Sequence, residues 1–170
     1  HSHSVGDRGV IVSGTLSLAV EGAPAKRLPP GSFFSIGAGV PQDWSTHMIG
    51  HELTALYNID HARTLAVVMP HLFRVQSARK EAKLLQFAER IWGITSGSTA
   101  ERIEAAIGKT EEFFEAMGLP TRLSRYENIQ PETPSLVAGK LKGRGFAKLG
   151  EKGEVGPDQV VEILTRSLAA

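Results

Sequence analysis

Short runs of β-prone residues occupy the first 42 positions of the chain. Leu16, Leu18 and Val20 alternate with Ser17 and Ala19, which is the pattern of a strand with one buried face. Glycine and proline separate this run from further β-prone runs at 10–12 and 33–36. The pattern predicts a small antiparallel meander of three or four strands, too few to close into a barrel.

From residue 43 onward the apolar side chains recur at the spacing of helices. The predicted helices are 44–57, 61–75, 78–92, 99–117, 133–142 and 157–168. Ser98 and Glu101 form the signature of a capping box, and Pro70 predicts a kink in the second helix. The predicted N-caps of the first three helices are Asp43, Asp60 and Ser77. The predicted fold class is therefore mainly α, with a helical unit over 43–170 and a β meander over 1–42.

Charge and composition exclude several classes of partner and site. The 170 residues include 19 basic and 18 acidic side chains, a net charge of +1, which gives no electrostatic reason to expect nucleic acid or a lipid surface as partner. No cysteine is present, so disulfides and thiolate metal sites are excluded. The apolar runs are much shorter than the ~20 residues of a membrane span. No signal peptide is visible, and we predict a cytoplasmic protein.

Three histidines have a spacing that suits a metal site. His47 and His51 are four residues apart and share one face of the first predicted helix. His61 begins the next helix, and the turn before it can fold it over that face. Clustered imidazoles suit Zn²⁺ or Fe²⁺. The spacing is equally consistent with a helical hairpin that carries polar, partly exposed histidines, and it does not show that all three bind one metal.

The longer string around these histidines resembles a known family. Residues 39–66, which read GVPQDWSTHMIGHELTALYNIDHARTLA, closely resemble the metal-dependent (iron-type, group III) alcohol dehydrogenases. The nearest branch is that of the butanol dehydrogenases and NADPH-dependent aldehyde reductases. The resemblance continues through 83–92, 113–120 and the final helix, and covers roughly residues 38–170.

This resemblance implies a fold, a reaction and a ligand set. Members of the family have an α/β dinucleotide-binding domain followed by a helical domain, and one Asp and three His hold the metal. By position, His47 and His61 match the last two ligands, and His51 matches a further histidine that faces the substrate and the nicotinamide. The implied chemistry is hydride transfer between NADP(H) and a small alcohol or aldehyde, with Fe²⁺ or Zn²⁺ as Lewis acid and His51 as proton relay. A homodimer is compatible with the family.

The chain departs from the family pattern upstream of residue 38. The Asp, the first His and the glycine-rich dinucleotide loop of the family precede the matching segment, and no GxGxxG or GGGS-type loop occurs in this sequence. We therefore expect that this chain alone does not catalyse the reaction.

The β segment instead resembles a partial cupin. His1, His3, Asp7 and Gly14 follow the spacing of the first cupin motif, with Asp7 at the usual Glu. A second motif covers 31–42, with Gln42 at the usual His ligand. This resemblance implies a second candidate metal set, His1, His3 and Asp7, and an alternative function as a non-catalytic metal-binding or small-ligand-binding module. On this interpretation the chain is a chimera whose join lies near 38–41.

Overall fold

The computed structural model of the chain describes strands at 8–10, 16–18, 26–28 and 33–35, together with residues 43–169. The chain divides into two units, residues 1–42 and residues 43–170. The fold is mainly helical, as the apolar spacing predicted. None of the helices among the described residues is long and apolar enough to cross a membrane.

Two pairs of short strands are described in the first unit. They are β1 (Arg8–Val10), β2 (Leu16–Leu18), β3 (Lys26–Leu28) and β4 (Phe33–Ser35). Strand β1 pairs antiparallel with β4, and β2 pairs antiparallel with β3, so each of the two sheets has two strands. The predicted meander is wrong, because it requires β1 to pair with β2. Alternation along one strand indicates which face is buried, but it carries no information about which strand lies alongside.

Six helices form the second unit. They are α1 (Ser45–Tyr57), α2 (His61–Val75), α3 (Glu81–Trp92), α4 (Thr99–Ala116), α5 (Thr133–Gly143) and α6 (Pro157–Leu168), with a 3₁₀ turn at Leu123–Arg125. Ser98 and Glu101 form the predicted capping box. Asp60 precedes α2 but makes no capping hydrogen bond. Helix α3 begins three residues later than predicted, because the backbone N–H groups of Arg79 and Lys80 donate to the Gln76 carbonyl and close a separate turn.

The main core lies among α1, α2, α5 and α6. Its central side chains are all apolar and almost fully buried: Ile49, Leu53, Val67, Val68, Leu72, Val137, Leu141, Val160, Ile163 and Leu164. A second, smaller cluster joins α3 to α4 through Leu84, Ile103 and Ile107. Burial of one face of α1 and one face of α2 fixes this helix pair to the rest of the unit. The opposite faces remain available for the histidines.

Candidate metal site

The α1–α2 helix pair brings the three predicted histidines together. The ring centroid of His61 lies 5.3 Å from that of His47 and 5.3 Å from that of His51. The centroids of His47 and His51 are 6.2 Å apart. His51 and His61 are exposed, whereas His47 is half-buried. These three side chains, here called the histidine cluster, therefore face one common space at the ends of two helices.

A short turn and a close helix contact produce this arrangement. Helix α1 ends at Tyr57. The next residue, Asn58, has a left-handed backbone (φ 53°) that turns the chain, and its N–H donates to the Thr54 carbonyl. Gly50, three residues after His47 and next to His51, packs directly against α2. A Cβ atom at Gly50 would lie only 2.8 Å from Oγ1 of Thr64. The Thr64 hydroxyl also donates a 2.8 Å hydrogen bond to the His61 carbonyl, so this contact helps to fix the start of α2 beneath α1.

Burial and the proximity of two other imidazoles favour the neutral form of His47. Burial lowers the pKa of His47, and the neighbouring His61 and His51 lower it further, because three cationic rings would repel one another. A neutral imidazole has a free lone pair for a metal ion, whereas imidazolium has none. Within residues 43–169 none of the three rings has a hydrogen-bond partner. His47 thus offers a nitrogen lone pair that no group within residues 43–169 engages.

The carboxylates nearest to the histidine cluster in sequence pair with arginine side chains. Glu52, next to His51, is 2% exposed and accepts a 2.6 Å hydrogen bond from Nη1 of Arg144. Asp60, next to His61, lies 3.5 Å from Nε of Arg63. In the part of the chain that the structure describes, no three His, Asp or Glu side chains are arranged to hold a metal ion. His1, His3 and Asp7 lie outside the described residues, so the predicted cupin-like ligands stay a prediction.

Two further groups at this site were not predicted from the sequence. Gly50 and Thr64 set the separation of the helices, and this contact depends on residues far apart in sequence. Trp44 packs its ring against His47 at a centroid distance of 4.8 Å. Its position three residues before His47 is the signal that predicts this contact, because residues three apart share one face of a helix.

Comparison with known proteins identifies the family. The model of the Fe-containing alcohol dehydrogenase family, C-terminal part, matches residues 34–168. The chain belongs to this family. The NADPH-dependent aldehyde reductase YqhD of Escherichia coli is 54% identical over 120 residues, which are 71% of this chain and 31% of that protein. A probable NADH-dependent butanol dehydrogenase 1 of Bacillus subtilis is 32% identical over 135 residues, covering 78% of this chain and 34% of that protein.

The same similarity holds in three dimensions. The substrate-free and cofactor-free structure of YqhD from Escherichia coli matches with a TM-score of 0.73 and 48% identity, covering 78% of this chain and 34% of that one. The chain therefore spans about a third of the length of the relatives it matches and corresponds to the C-terminal helical part of the family. The family match begins at residue 34, and the comparisons give no support to a cupin-like segment over 1–39.

Proposed function

We propose that this chain supplies the metal-binding helical part of an NAD(P)-linked alcohol dehydrogenase or aldehyde reductase. His47 and His61 serve as ligands of a divalent metal, Fe²⁺ or Zn²⁺, and His51 serves as proton relay at the substrate hydroxyl. The observation that carries the proposal is the convergence of three imidazoles, with centroids 5.3 to 6.2 Å apart, on the segment that matches the family. None of the three has a hydrogen-bond partner among residues 43–169.

The donor chemistry of the histidine cluster fits such a metal. Imidazole nitrogen suits both Fe²⁺ and Zn²⁺, and the lowered pKa of His47 keeps its lone pair available at neutral pH. A bound metal would supply Lewis-acid polarisation of the alcohol or carbonyl oxygen. His51 is exposed and has no hydrogen-bond partner among residues 43–169, so it is free to exchange a proton with a hydroxyl beside it. The substrate class is a small alcohol or aldehyde, by similarity to the relatives.

The set of ligands in the described residues is incomplete. The family resemblance implies an Asp and a further His, and neither is supplied by residues 43–169. Each missing ligand removes a bond and also the support that holds the others in place. We therefore expect the isolated chain to bind Zn²⁺ more weakly than about 1 µM and not to reduce aldehydes with NADPH.

Calorimetric titration with Zn²⁺ tests this assignment residue by residue. His47→Ala and His61→Ala should each abolish measurable binding, because each removes one of two proposed ligands. His51→Ala, the matched control on the same helix face, should bind nearly as the wild type does. Loss of binding in His51→Ala, with retention in His47→Ala, would reverse the proposed roles. Absence of binding in the wild type would reject the site.

The second candidate is a non-catalytic metal-binding module. The incomplete set of ligands favours it, because the cluster can bind a metal without providing a reaction centre. Addition of Zn²⁺ would then raise the melting temperature while NADPH oxidation with an added aldehyde stays at the background rate. Metal-dependent NADPH oxidation by the isolated chain would instead show that the chain is a competent reductase.

A further inference from the structure

We propose that Trp44 is a positioning residue that holds the imidazole of His47 in its metal-binding orientation. This inference rests on the metal site proposed above. The ring centroids of Trp44 and His47 are 4.8 Å apart and the ring planes cross at 61°, an edge-to-face geometry. This separation is shorter than the 5.3 Å between His47 and His61.

The histidine needs such a support. A metal-binding histidine almost always donates its second ring N–H to a carboxylate, a carbonyl or water, and that hydrogen bond fixes the ring. Among residues 43–169 no group accepts a hydrogen bond from His47. The other rings recorded beside it, those of His51 and His61, belong to the same cluster. Within the described residues, the indole of Trp44 is therefore the contact from outside the cluster that can orient His47.

The backbone makes Trp44 suitable for this role. Trp44 immediately precedes α1, and its carbonyl accepts a 2.9 Å hydrogen bond from the N–H of Met48, which ties it to the first helical turn. The indole then lies on the same face as His47. The electron-rich face of one ring attracts the positive edge of the other, and such pairs change an equilibrium constant by about two- to tenfold.

Two substitutions at Trp44 test the role by Zn²⁺ calorimetry. Trp44→Ala removes the ring and should weaken Zn²⁺ binding about three- to tenfold. Trp44→Phe keeps an aromatic face and should restore affinity to within about twofold of the wild type. Circular dichroism checks that both variants remain folded. Equal affinity of Trp44→Ala and the wild type would overturn the proposal, as would a Phe variant no better than Ala. No binding by the wild type would reject the metal site itself.

Fluorescence gives a readout that a purely structural role would not produce. The chain has two tryptophans, and Trp92→Phe leaves Trp44 as the sole tryptophan, which can be excited selectively at wavelengths that tyrosine does not absorb. Its emission should change on addition of Zn²⁺ and saturate at the affinity measured by calorimetry. In Trp44→Phe the remaining Trp92 donates its ring N–H to Thr110, within a different helix pair, and its emission should not respond. An unresponsive Trp92→Phe variant would overturn the proposal.

Discussion

Two groups of polar side chains within the helical unit have opposite kinds of surroundings. The first group, here called the arginine network, consists of Arg74, Glu104, Glu111 and Arg122. Glu111 and Glu104 each accept hydrogen bonds of 2.7 Å from the Arg74 guanidinium. Nη2 of Arg122 lies 4.0 Å from Oε1 of Glu111 and adds a further positive charge. In the histidine cluster, by contrast, three side chains of like chemistry meet without any hydrogen bond from residues 43–169.

The difference distinguishes groups that stabilise the fold from groups that are available to a ligand. Burial alone would raise the pKa of Glu111, but the hydrogen bonds and charge of Arg74 hold it below its usual value. The network is thus complete without any added ion. Burial of His47 beside two other imidazoles instead lowers its pKa, and no hydrogen-bond partner within residues 43–169 compensates for the lost hydration. Such a cluster contributes little to folding but offers lone pairs to a metal.

Breaking the arginine network should give the largest loss of stability. Arg74→Met keeps the aliphatic stem but leaves Glu111, 14% exposed, without its main partner. Removal of one partner from a largely buried pair typically costs about 3–5 kcal/mol, and we expect a loss near the lower end. Urea denaturation measures it. The control, Arg166→Met, breaks an exposed pair with Glu162 and should change stability by less than about 0.5 kcal/mol. Similar losses in both variants would contradict the distinction.

The pH dependence of stability should come in part from His71, which lies beside this network and not in the cluster. Burial lowers its pKa to about 4, nearby Arg122 and Arg74 act in the same direction, and Glu111 opposes them. Above about pH 6.5 the histidine is neutral in both the folded and the unfolded chain. As pH falls toward 4, only the unfolded chain takes up the proton, so stability falls by roughly 3 kcal/mol.

Urea denaturation at several pH values checks this expectation. His71→Leu removes the titrating group while it fills a site that is 1% exposed. Carboxylates also titrate toward pH 4, so the quantity to compare is the loss between pH 6.5 and 4 in the wild type minus that in the variant. A difference near zero would show that His71 does not carry the pH dependence.

Local signals in the sequence predict some helix starts correctly and others incorrectly. The capping box of Ser98 and Glu101 is made by adjacent turns of one helix, and it forms as predicted. Ser77, an equally good cap by type, does not begin α3. Lys80 immediately precedes that helix, and its ammonium lies 2.8 Å from Asp43, far away in sequence. Tertiary contacts therefore decide where a helix begins when local signals compete.

At the candidate site, too, the sequence predicts local geometry but not tertiary contacts. The spacing of His47 and His51 predicts a shared helix face, and the turn before His61 predicts its return toward that face; the ring distances agree with both expectations. The contact of Gly50 with Thr64 has no local signature, because it depends on how α1 packs against α2. Strand pairing also has no local signature in the sequence, and β1 pairs with β4.

The contact between Gly50 and Thr64 gives the third prediction, which has an expected effect of intermediate size. Gly50→Ala places a methyl group 2.8 Å from Oγ1 of Thr64, which forces the helices apart. Overpacking costs about 1–3 kcal/mol, and the better helix propensity of alanine offsets about 1 kcal/mol of this. We expect a net loss of stability of up to about 2 kcal/mol in urea denaturation and weaker Zn²⁺ binding.

The control for this change is Gly108→Ala in α4, where an added Cβ would have no neighbour within 4 Å. This variant should gain about 0.5–1 kcal/mol from helix propensity and leave Zn²⁺ binding unchanged. The two glycines differ in what their added methyl groups would touch. Equal stabilisation of both variants would show that Gly50 does not set the helix separation.

The smallest expected effect is also the sharpest test of the comparison between the two regions. His51→Ala and His61→Ala each remove an exposed imidazole that has no hydrogen-bond partner among residues 43–169. Substitutions at exposed positions without such partners usually change stability by less than about 0.5 kcal/mol, so both variants should unfold at nearly the same urea concentration as the wild type. His61→Ala should nevertheless lose Zn²⁺ binding. A loss of stability comparable to that of Arg74→Met, measured without metal, would place the histidine cluster among the structural networks and remove the reason to regard it as a ligand site.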